Sequence, residues 1–369
     1  MHIRFFGVTN SFDYHHIGGT DSFFRRIGAD LCRRGHTVAF VHYGGPVDAE
    51  ESSSPIAGLR IKRFRHFESA LEELSRESGP VFVNAIRARD RLRFIRFRRR
   101  LARQIGFFMV YSMYAETWSG RWKHFLESRI YPYNAGTLCM SQRLVEHTRR
   151  LTRQPRLVLP PVPPSYYAGC SDKRKQGKIV VSYVGRMESG KGAPEAAEVL
   201  SGIVRDGRFQ TCVSAYAFTN DDQAQAMEDR LVSLPGLRYD RCEYQNWSLQ
   251  LEYRLARLLY DTDVLLLPYQ RLSSTIDIPL LLLEGMAAQC CCLIPSLGDI
   301  STIYGESPFL VEPNNFVTSA LELLHRLSWN DICRERQRVR QRIHFLQVDV
   351  ESVTNELLNA VTSYEAKAA

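Results

Sequence analysis

Two segments in the C-terminal half carry residues suited to chemistry on a phosphorylated ligand. In the first, the apolar run at 179–184 leads into Gly185, and Arg186, Lys191 and Gly192 follow. A glycine-rich turn before a helix presents backbone N–H groups, and two nearby cations add charge that can hold a diphosphate. The alternative is that Arg186 and Lys191 are only surface charges near a turn. The apolar run immediately before them favours the phosphate interpretation.

The same segment matches most of a P-loop, G-x-x-x-x-G-K, which would indicate a nucleotide hydrolase. A P-loop needs Ser or Thr after the lysine to ligate magnesium, and Gly192 holds that position. A P-loop protein also needs an acid at the end of a later apolar strand. Here Asp263 precedes the apolar run at 264–267 instead of following it. Both departures argue against the hydrolase.

The second segment places a single acid, Glu284, in an apolar run that follows Pro279. Proline suits the first position of a helix, so a helix is predicted to begin there. A lone carboxylate among apolar residues is costly to bury without a partner. Glu284 therefore either reaches solvent near the helix start or accepts hydrogen bonds from a ligand. The vicinal hydroxyls of a ribose fit the second option, so the two segments together predict a pocket for a phosphorylated, hydroxyl-bearing ligand.

No essential metal is expected. Asp261 and Asp263 form a D-x-D pattern typical of some metal sites, but the pattern lies at the wrong end of its strand to face a cleft. Helix-end capping and solvation explain these two acids better. The histidines show no metal-ligand spacing, and His15 and His16 lie in a loop that could either face the cleft or simply be solvated.

Cysteine usage and the N-terminus predict a cytoplasmic protein. The nine cysteines include the run at 290–292, but no Cys-x-x-Cys spacing occurs, so neither a disulfide framework nor a zinc site is indicated. The first residues lack the features of a signal peptide, and no run approaches the roughly 18 apolar residues of a membrane span.

A basic segment at 87–103 contains nine arginines and one aspartate, in a chain of net charge +8. Its apolar residues recur at near-helical spacing, which predicts a basic amphipathic helix. Two interpretations stay open: a solvated face whose arginines pair with acids elsewhere, or a docking surface for anionic lipid headgroups or another polyanion. The second would place the protein peripherally at the inner membrane face. Nucleic acid is not an expected partner, because few aromatics there could stack on bases.

These residues must be positioned by an α/β framework. Strand-like and helical patterns alternate along the whole chain, which indicates parallel sheets covered by helices, and 369 residues suit two domains. Ligands of such sheets bind at the carboxyl ends of the strands, so a site in a cleft between the domains is expected. Strands are predicted at 3–8, 37–43, 81–84, 107–112, 137–140, 157–159, 179–184, 211–215, 237–239, 264–267, 291–294 and 309–311.

The expected domain boundaries follow from a proline-rich stretch at 160–164. We predict an N-terminal domain at 1–164, a linker at 165–178, a C-terminal domain at 179–345 and a C-terminal segment at 346–369. Helices are predicted at 22–34 and, in the last segment, at 350–363.

At this point the residues resemble those of glycosyltransferase family 4, the retaining nucleotide-sugar transferases of the GT-B fold. The likeness covers most of the chain. Gly18-Gly19 before a helix resembles the family's opening, together with the stretch at 34–38. Residues 185–192 resemble its phosphate clamp, and residues 263–268 with 284–288 resemble its donor-site helix. The last two together are the more specific motifs.

The resemblance implies a fold, a reaction and a set of site residues. The fold is two Rossmann-like, doubly wound domains facing a cleft, with the last helix crossing back to the N-terminal domain, which would bind the acceptor. The reaction moves a sugar from a nucleoside-diphosphate sugar to an acceptor hydroxyl with retention, in the synthesis of a glycan, glycolipid or glycosylated metabolite. No cofactor beyond this co-substrate is implied. The implied catalytic residues are Arg186 and Lys191 on the diphosphate and Glu284 on the ribose, and the implied donor-binding residues are Gly18, Gly19, Gly185, Asp277, Leu280 and Tyr244.

Three departures from the family pattern bear on the sugar and the acceptor. Ile276 stands where the family has a second glutamate, and the adjacent Asp277 would contact the sugar hydroxyls instead. Ile278-Pro279 replaces the common Phe-Gly, which would remove one backbone donor from the helix start. Tyr114 takes the place of a histidine near the reacting carbon. Together with Tyr114, the implied acceptor-side residues are Ser112 and His16.

The same residues bear on two rival functions. A GT-B-like binding protein that lost its chemistry at Ile276 and Tyr114 could dock on anionic surfaces through the 87–103 segment. The joint presence of Arg186, Lys191 and Glu284 argues against it. A nicotinamide-dependent oxidoreductase is not favoured, because no G-x-G-x-x-G follows any strand.

Overall fold

The chain divides into two compact units, Met1–Pro161 with Asp349–Ala369, and Val162–Val348. The computed structural model describes residues 1–9, 14–46, 49–84, 86, 88–90, 93, 106–110, 118, 122, 136–149, 155–167, 173, 176–216, 222–242, 246–271 and 277–368.

The first unit is built on a mostly parallel sheet. Its described strands run in the order β3-β4-β2-β1-β5-β6-β7-β8, and β3 is antiparallel to β4. The strands are β1 (His2–Val8), β2 (Thr37–Tyr43), β3 (Ala49–Ser53), β4 (Leu59–Phe64), β5 (Val81–Val83), β6 (Gly106–Val110), β7 (Gly136–Cys139) and β8 (Pro155–Leu157), and the helices are α1 (Gly19–Arg33), α2 (Phe67–Arg76), α3 (Gln142–Arg149) and the C-terminal helix α11 (Val350–Ala368).

Aromatic packing explains why β1 lies in the middle of this sheet. The β1 residues from Ile3 to Val8 are all buried, as expected for a parallel strand covered on both faces. The Phe5 ring lies 5.2 Å from Phe40 on β2, 5.4 Å from Phe82 on β5 and 5.3 Å from Phe24 on α1, measured between centroids. Phe24 of α1 therefore packs on the same β1 ring that contacts β2 and β5.

The edge strand β3 and its neighbour β4 escaped the sequence analysis. The sequence of β3 is AEESS and that of β4 is LRIKRF, and only Leu59 and Ile61 of β4 are buried. An edge strand with charged residues toward solvent has no apolar run to reveal it.

The C-terminal helix α11 belongs to the first unit, as the sequence analysis expected. Arg34, at the end of α1, donates to Asn355 Oδ1 at 2.5 Å and to the Glu351 carbonyl at 3.1 Å. The chain thus leaves the first unit, forms the second and returns.

The second unit contains a parallel sheet of the doubly wound type. Its described strands run in the order β11-β10-β9-β12-β13-β14, so the chain changes direction across the sheet between β9 and β12. The strands are β9 (Ile179–Gly185), β10 (Phe209–Tyr216), β11 (Arg238–Cys242), β12 (Val264–Leu266), β13 (Cys291–Pro295) and β14 (Leu310–Val311), and the helices are α4 (Ala193–Ile203), α5 (Asp222–Val232), α6 (Leu249–Asp261), α7 (Leu280–Ala287), α8 (Ile300–Tyr304), α9 (Phe316–Arg326) and α10 (Trp329–Leu346).

Part of the predicted linker is anchored in the second unit. Residues Pro164–Tyr166 form a 3₁₀ turn. The buried Lys173 ammonium donates to the Ala288 carbonyl at 2.7 Å and to the Leu259 carbonyl at 3.2 Å. The polar composition of this stretch did not reveal that contact. Among the described helices, none has the length and apolarity required to cross a bilayer.

Candidate functional site

The candidate site lies at the carboxyl edge of the second sheet, where β9 and β12 are neighbours. Gly185 ends β9 and leads into Arg186, while Pro268 follows the end of β12. In doubly wound sheets the loops that leave two such strands diverge and leave a crevice for a ligand. The two sequence segments that predicted a phosphate pocket therefore share this edge.

Gly192 closes the turn after β9 in a left-handed conformation that favours glycine. Its φ is +78°, and a Cβ added there would lie 1.8 Å from the Pro268 carbonyl oxygen. The turn Ser189–Lys191 is a single 3₁₀ turn, and Gly192 is the N-cap of α4. Gly192, the residue that argued against a P-loop, therefore allows the loop after β9 to contact the loop after β12 directly.

Arg186 and Lys191 are both held on this turn. The Tyr183 hydroxyl donates to the Arg186 carbonyl at 2.7 Å, which fixes the backbone, and the Arg186 guanidinium lies 3.5 Å from a Glu188 carboxylate oxygen. Burial lowers the pKa of Lys191, the Arg186 charge lowers it further, and Glu188 opposes the change. A desolvated ammonium beside a second cation is stabilised by an incoming anion.

Glu284 lies in the second turn of α7 and is only 6% exposed. Gly285 fixes this placement, because a Cβ there would lie 2.7 Å from Leu265 Cδ2 and 3.0 Å from Cys292 Sγ. Helix α7 therefore packs closely on β12 and β13. Of the two options set by the sequence, exposure to solvent at the helix start is wrong for Glu284.

The start of α7 corrects one expectation. Pro279 is the N-cap residue and not the first helical residue, and its carbonyl accepts from the Leu282 N–H at 3.1 Å. The missing proline N–H therefore lies outside the helix and removes none of the first amides from Leu280 onward.

Two buried acids and an apolar residue complete this edge. Asp277 is 1% exposed and lies just before α7, and Leu280, the first residue of α7, is also buried. Asp299, which the sequence analysis missed, is buried after the carboxyl end of β13, at the N-cap of α8. The signal in the sequence that could have identified Asp299 was an acidic residue shortly after the predicted strand at 291–294.

In the first unit, Gly18 and Gly19 form the start of α1. A Cβ added at Gly18 would lie 2.5 Å from Asp21 Oδ2 and 3.3 Å from His16 Nδ1. His16 Nδ1 lies 2.8 Å from Asp21 Oδ2, so His16 is paired rather than merely solvated. Arg25 is buried and donates to the His16 carbonyl at 2.7 Å, which holds the loop before α1.

Several predicted residues lie outside the described part of the chain. These are Tyr244 of the donor set, Ser112 and Tyr114 of the acceptor set, and Ile276. Most of the 87–103 segment also lies outside it.

The D-x-D pattern is structural, and its two acids differ. Asp261 has a 57% exposed side chain paired with Arg257 at 3.1 Å, as solvation at a helix end predicts. Asp263 is fully buried, accepts from the Val180 N–H at 2.7 Å and forms an ion pair with Arg336. Capping and solvation are therefore the wrong explanation for Asp263. No group of three potential metal-ligating side chains occurs within the described ranges.

The cysteine run is a core element. Cys290, Cys291 and Cys292 are fully buried free thiols, and burial raises the pKa of each one. A buried neutral thiol is a weak nucleophile, so these residues contribute packing rather than chemistry.

Comparison with known proteins shows likeness at the level of structure. No family model and no curated protein matches the sequence. A glycosyltransferase from Rickettsia africae superposes with a TM-score of 0.67 at 11% identity, covering 98% of both chains. The α,α-trehalose 6-phosphate synthase of Burkholderia multivorans gives 0.70 at 11% identity, covering 100% of this chain and 97% of its own. Anabaena HepE in complex with UDP gives 0.66 at 10% identity, covering 98% and 100%.

These neighbours are GT-B glycosyltransferases, and the full-length match shows that this chain has the same two-domain α/β fold. The fold class predicted from the sequence is confirmed. At sequence identities of 10–11%, these structural matches establish the fold of this chain and nothing further.

Proposed function

We propose that the protein is a glycosyltransferase that moves a sugar from a nucleoside-diphosphate sugar to an acceptor hydroxyl with retention, in the manner of glycosyltransferase family 4. The observation that carries this proposal is the pairing of Arg186 with the desolvated Lys191 on a glycine turn at the point where the strand order of the second sheet reverses. A diphosphate is the ligand that best satisfies two such cations and a helix start.

The two cations would act on the leaving group. As the bond between the anomeric carbon and the phosphate oxygen breaks, negative charge develops on the diphosphate, and Arg186 and Lys191 would stabilise it. Removal of one such donor costs on the order of 3 kcal/mol of transition-state stabilisation, about a hundredfold in rate. The new bond joins the anomeric carbon to the acceptor oxygen on the same face, and the acceptor proton passes to the leaving phosphate. No protein base is needed in this scheme.

Glu284 and Asp277 would hold the hydroxyl groups of the donor. Both side chains are buried, Asp277 just before α7 and Glu284 within it. We assign the ribose to Glu284 and the transferred sugar to Asp277. No cofactor and no essential metal form part of this proposal.

UDP is the first nucleotide to test, because the Anabaena HepE neighbour holds UDP. The acceptor would be a glycan, a lipid-linked sugar or a small molecule. The proposed setting is the cytoplasm, with the 87–103 segment as a peripheral contact to an anionic inner membrane face.

The test is thermal stabilisation and nucleotide release with UDP-, GDP- and dTDP-sugars. The wild type and Lys178→Ala are expected to be stabilised by the same donor, and Lys191→Ala is expected to lose most of the effect. Lys178 is the matched control, because it is exposed just before the opposite end of the same strand, β9. The proposal fails if no donor stabilises the wild type, or if both variants respond alike.

A further inference from the structure

A cavity of about 220 Å³ opens at the carboxyl edge of the first sheet. Among the described residues, its lining includes Arg89, Asp90 and Arg93 of the 87–103 segment but none of the donor-set or acceptor-set residues named above. Its apolar wall consists of Tyr43, at the end of β2, and Phe67, at the start of α2, whose rings lie 4.9 Å apart. The remaining lining side chains are titratable. Such a cavity, with a small apolar wall and convergent charged groups, is typical of a ligand site.

Three guanidinium groups line this cavity. Arg65 follows β4, while Arg89 and Arg93 come from the chain after β5. The side chains of Arg89 and Arg93 are 74% and 57% exposed, so both reach solvent at the cavity. Arginine presents five N–H donors in a planar fork that suits the oxygens of a phosphate.

Two carboxylates lie beside the three arginines, so the cluster keeps a net positive charge. Asp90, whose side chain is 5% exposed, has one oxygen 3.9 Å from Arg89 Nε and the other 3.9 Å from Arg93 Nη1. Glu68 lies 2.9 Å from Arg93 Nη1. The Asp90 contacts are too long for hydrogen bonds, whereas the Glu68 contact is within hydrogen-bond distance. Because a guanidinium carries five N–H donors, one carboxylate contact does not use them all.

The start of helix α2 adds to the positive potential. The helix begins at Phe67 with His66 as N-cap, and His66 lines the cavity as well. The first amides of a helix lack intrahelical acceptors, and the helix dipole is positive at this end. The arginines, the helix start and the cavity together select an anion.

We propose that this cavity binds a phosphorylated sugar or polyol. The arginines would hold the phosphate, and the Asp90 and Glu68 carboxylates would accept hydrogen bonds from hydroxyl groups. A phosphate alone would not need the two acids, and a neutral sugar would not need three arginines. In the proposed transferase such a molecule would be the acceptor, and that assignment rests on the proposed function. The binding site itself does not.

The test is equilibrium binding of glycerol 3-phosphate, with glycerol and inorganic phosphate as comparison probes. Wild type is expected to bind glycerol 3-phosphate more tightly than either. The double variant Arg89→Gln/Arg93→Gln is expected to lose at least about tenfold in affinity, since a charged hydrogen bond contributes about 1.5–3 kcal/mol. Arg76→Gln is the matched control, because Arg76 lies at the opposite end of α2, exposed and paired with Glu73.

Equal losses in Arg76→Gln and in the double variant would overturn the site, because the effect would then be general charge. Equal affinity for inorganic phosphate and glycerol 3-phosphate would overturn the role of the acids. A second arm separates free from lipid-borne ligand, using phosphatidylcholine vesicles with and without phosphatidylglycerol. If wild type pellets only with vesicles that contain phosphatidylglycerol, and the double variant does not pellet, the ligand is a lipid headgroup. Binding of the soluble probe without pelleting assigns a free ligand.

A third arm separates this site from the donor pocket. Lys191→Ala is expected to bind glycerol 3-phosphate as wild type does, and the double variant is expected to keep wild-type donor binding. If glycerol 3-phosphate binding is lost only in Lys191→Ala, the phosphate site is the donor pocket and this inference is wrong.

Discussion

The two edges of the second sheet use their charged residues differently. At the amino edge, Asp263 and Arg336 are buried against each other, and Lys173 donates to the carbonyls that end α6 and α7. At the carboxyl edge, Arg186 and Lys191 belong to the segment that follows β9, where burial and the Arg186 charge both lower the pKa of Lys191. The first arrangement pairs opposite charges, whereas the second places two like charges on one short segment.

The direction of the strands causes this difference, because it decides at which edge of the sheet a charged motif lies. The composition of the motif alone does not show that edge. The D-x-D pattern and the Gly185–Gly192 turn both carry residues suited to a ligand, and the sequence already placed the D-x-D pattern at the wrong end of its strand. In the structure, Asp263 lies before β12 and Arg186 lies after β9. Helix α7 spans both edges: Lys173 caps its C-terminus, and Glu284 lies one turn earlier.

The largest expected effect is at the amino edge. Arg336→Ala leaves the Asp263 carboxylate buried without its cation, and we expect a loss of about 3–5 kcal/mol in the free energy of unfolding. Denaturant titration measures it, and Arg334→Ala is the control, because Arg334 is exposed on the same helix. A loss below about 1 kcal/mol would mean that the buried Asp263–Arg336 pair does not set the amino edge apart from the carboxyl edge.

An intermediate effect is expected from Gly192→Ala. The added Cβ would meet the Pro268 carbonyl in a left-handed backbone, so we expect a loss of about 1–3 kcal/mol in stability and loss of donor-induced stabilisation. Gly177→Ala shares the positive φ, at +99°, but has nothing within 4 Å of the added atom. It should cost less and leave donor binding intact. Equal behaviour of the two variants would show that the contact with Pro268 is unimportant.

The smallest effect is a pH dependence at the carboxyl edge. Lys191 is charged below its pKa, which lies under the ordinary 10.5, so donor affinity should fall as pH rises through that lowered pKa. A bound diphosphate favours the charged form and raises the pKa again. We expect up to about tenfold weaker binding, measured by calorimetry over a pH series. Lys191→Arg stays charged throughout and corrects for titration of the nucleotide. An identical slope in this variant would assign the dependence elsewhere.

Much of the fold followed from the sequence because buried parallel strands are continuous apolar runs. The strand at 37–43 was placed residue for residue, and the end of α1 was marked by Gly35, whose φ is +83°. The polar edge strand β3 and its neighbour β4 left no such signal. Lys173 was assigned to a solvated linker because composition does not show which carbonyls a side chain reaches.

For the site, the sequence by itself determined the kinds of residue present: two cations on a glycine turn, a lone acid in an apolar helix, and strands in tandem α/β order. These follow from local spacing, since a turn, a helix and a strand each form from neighbouring residues. Only the tertiary structure decided which charges have partners, that Gly192 must meet Pro268, and that Arg65, Arg89 and Arg93 converge on one cavity. Those outcomes depend on strand order and direction, which bring together residues that are distant along the chain.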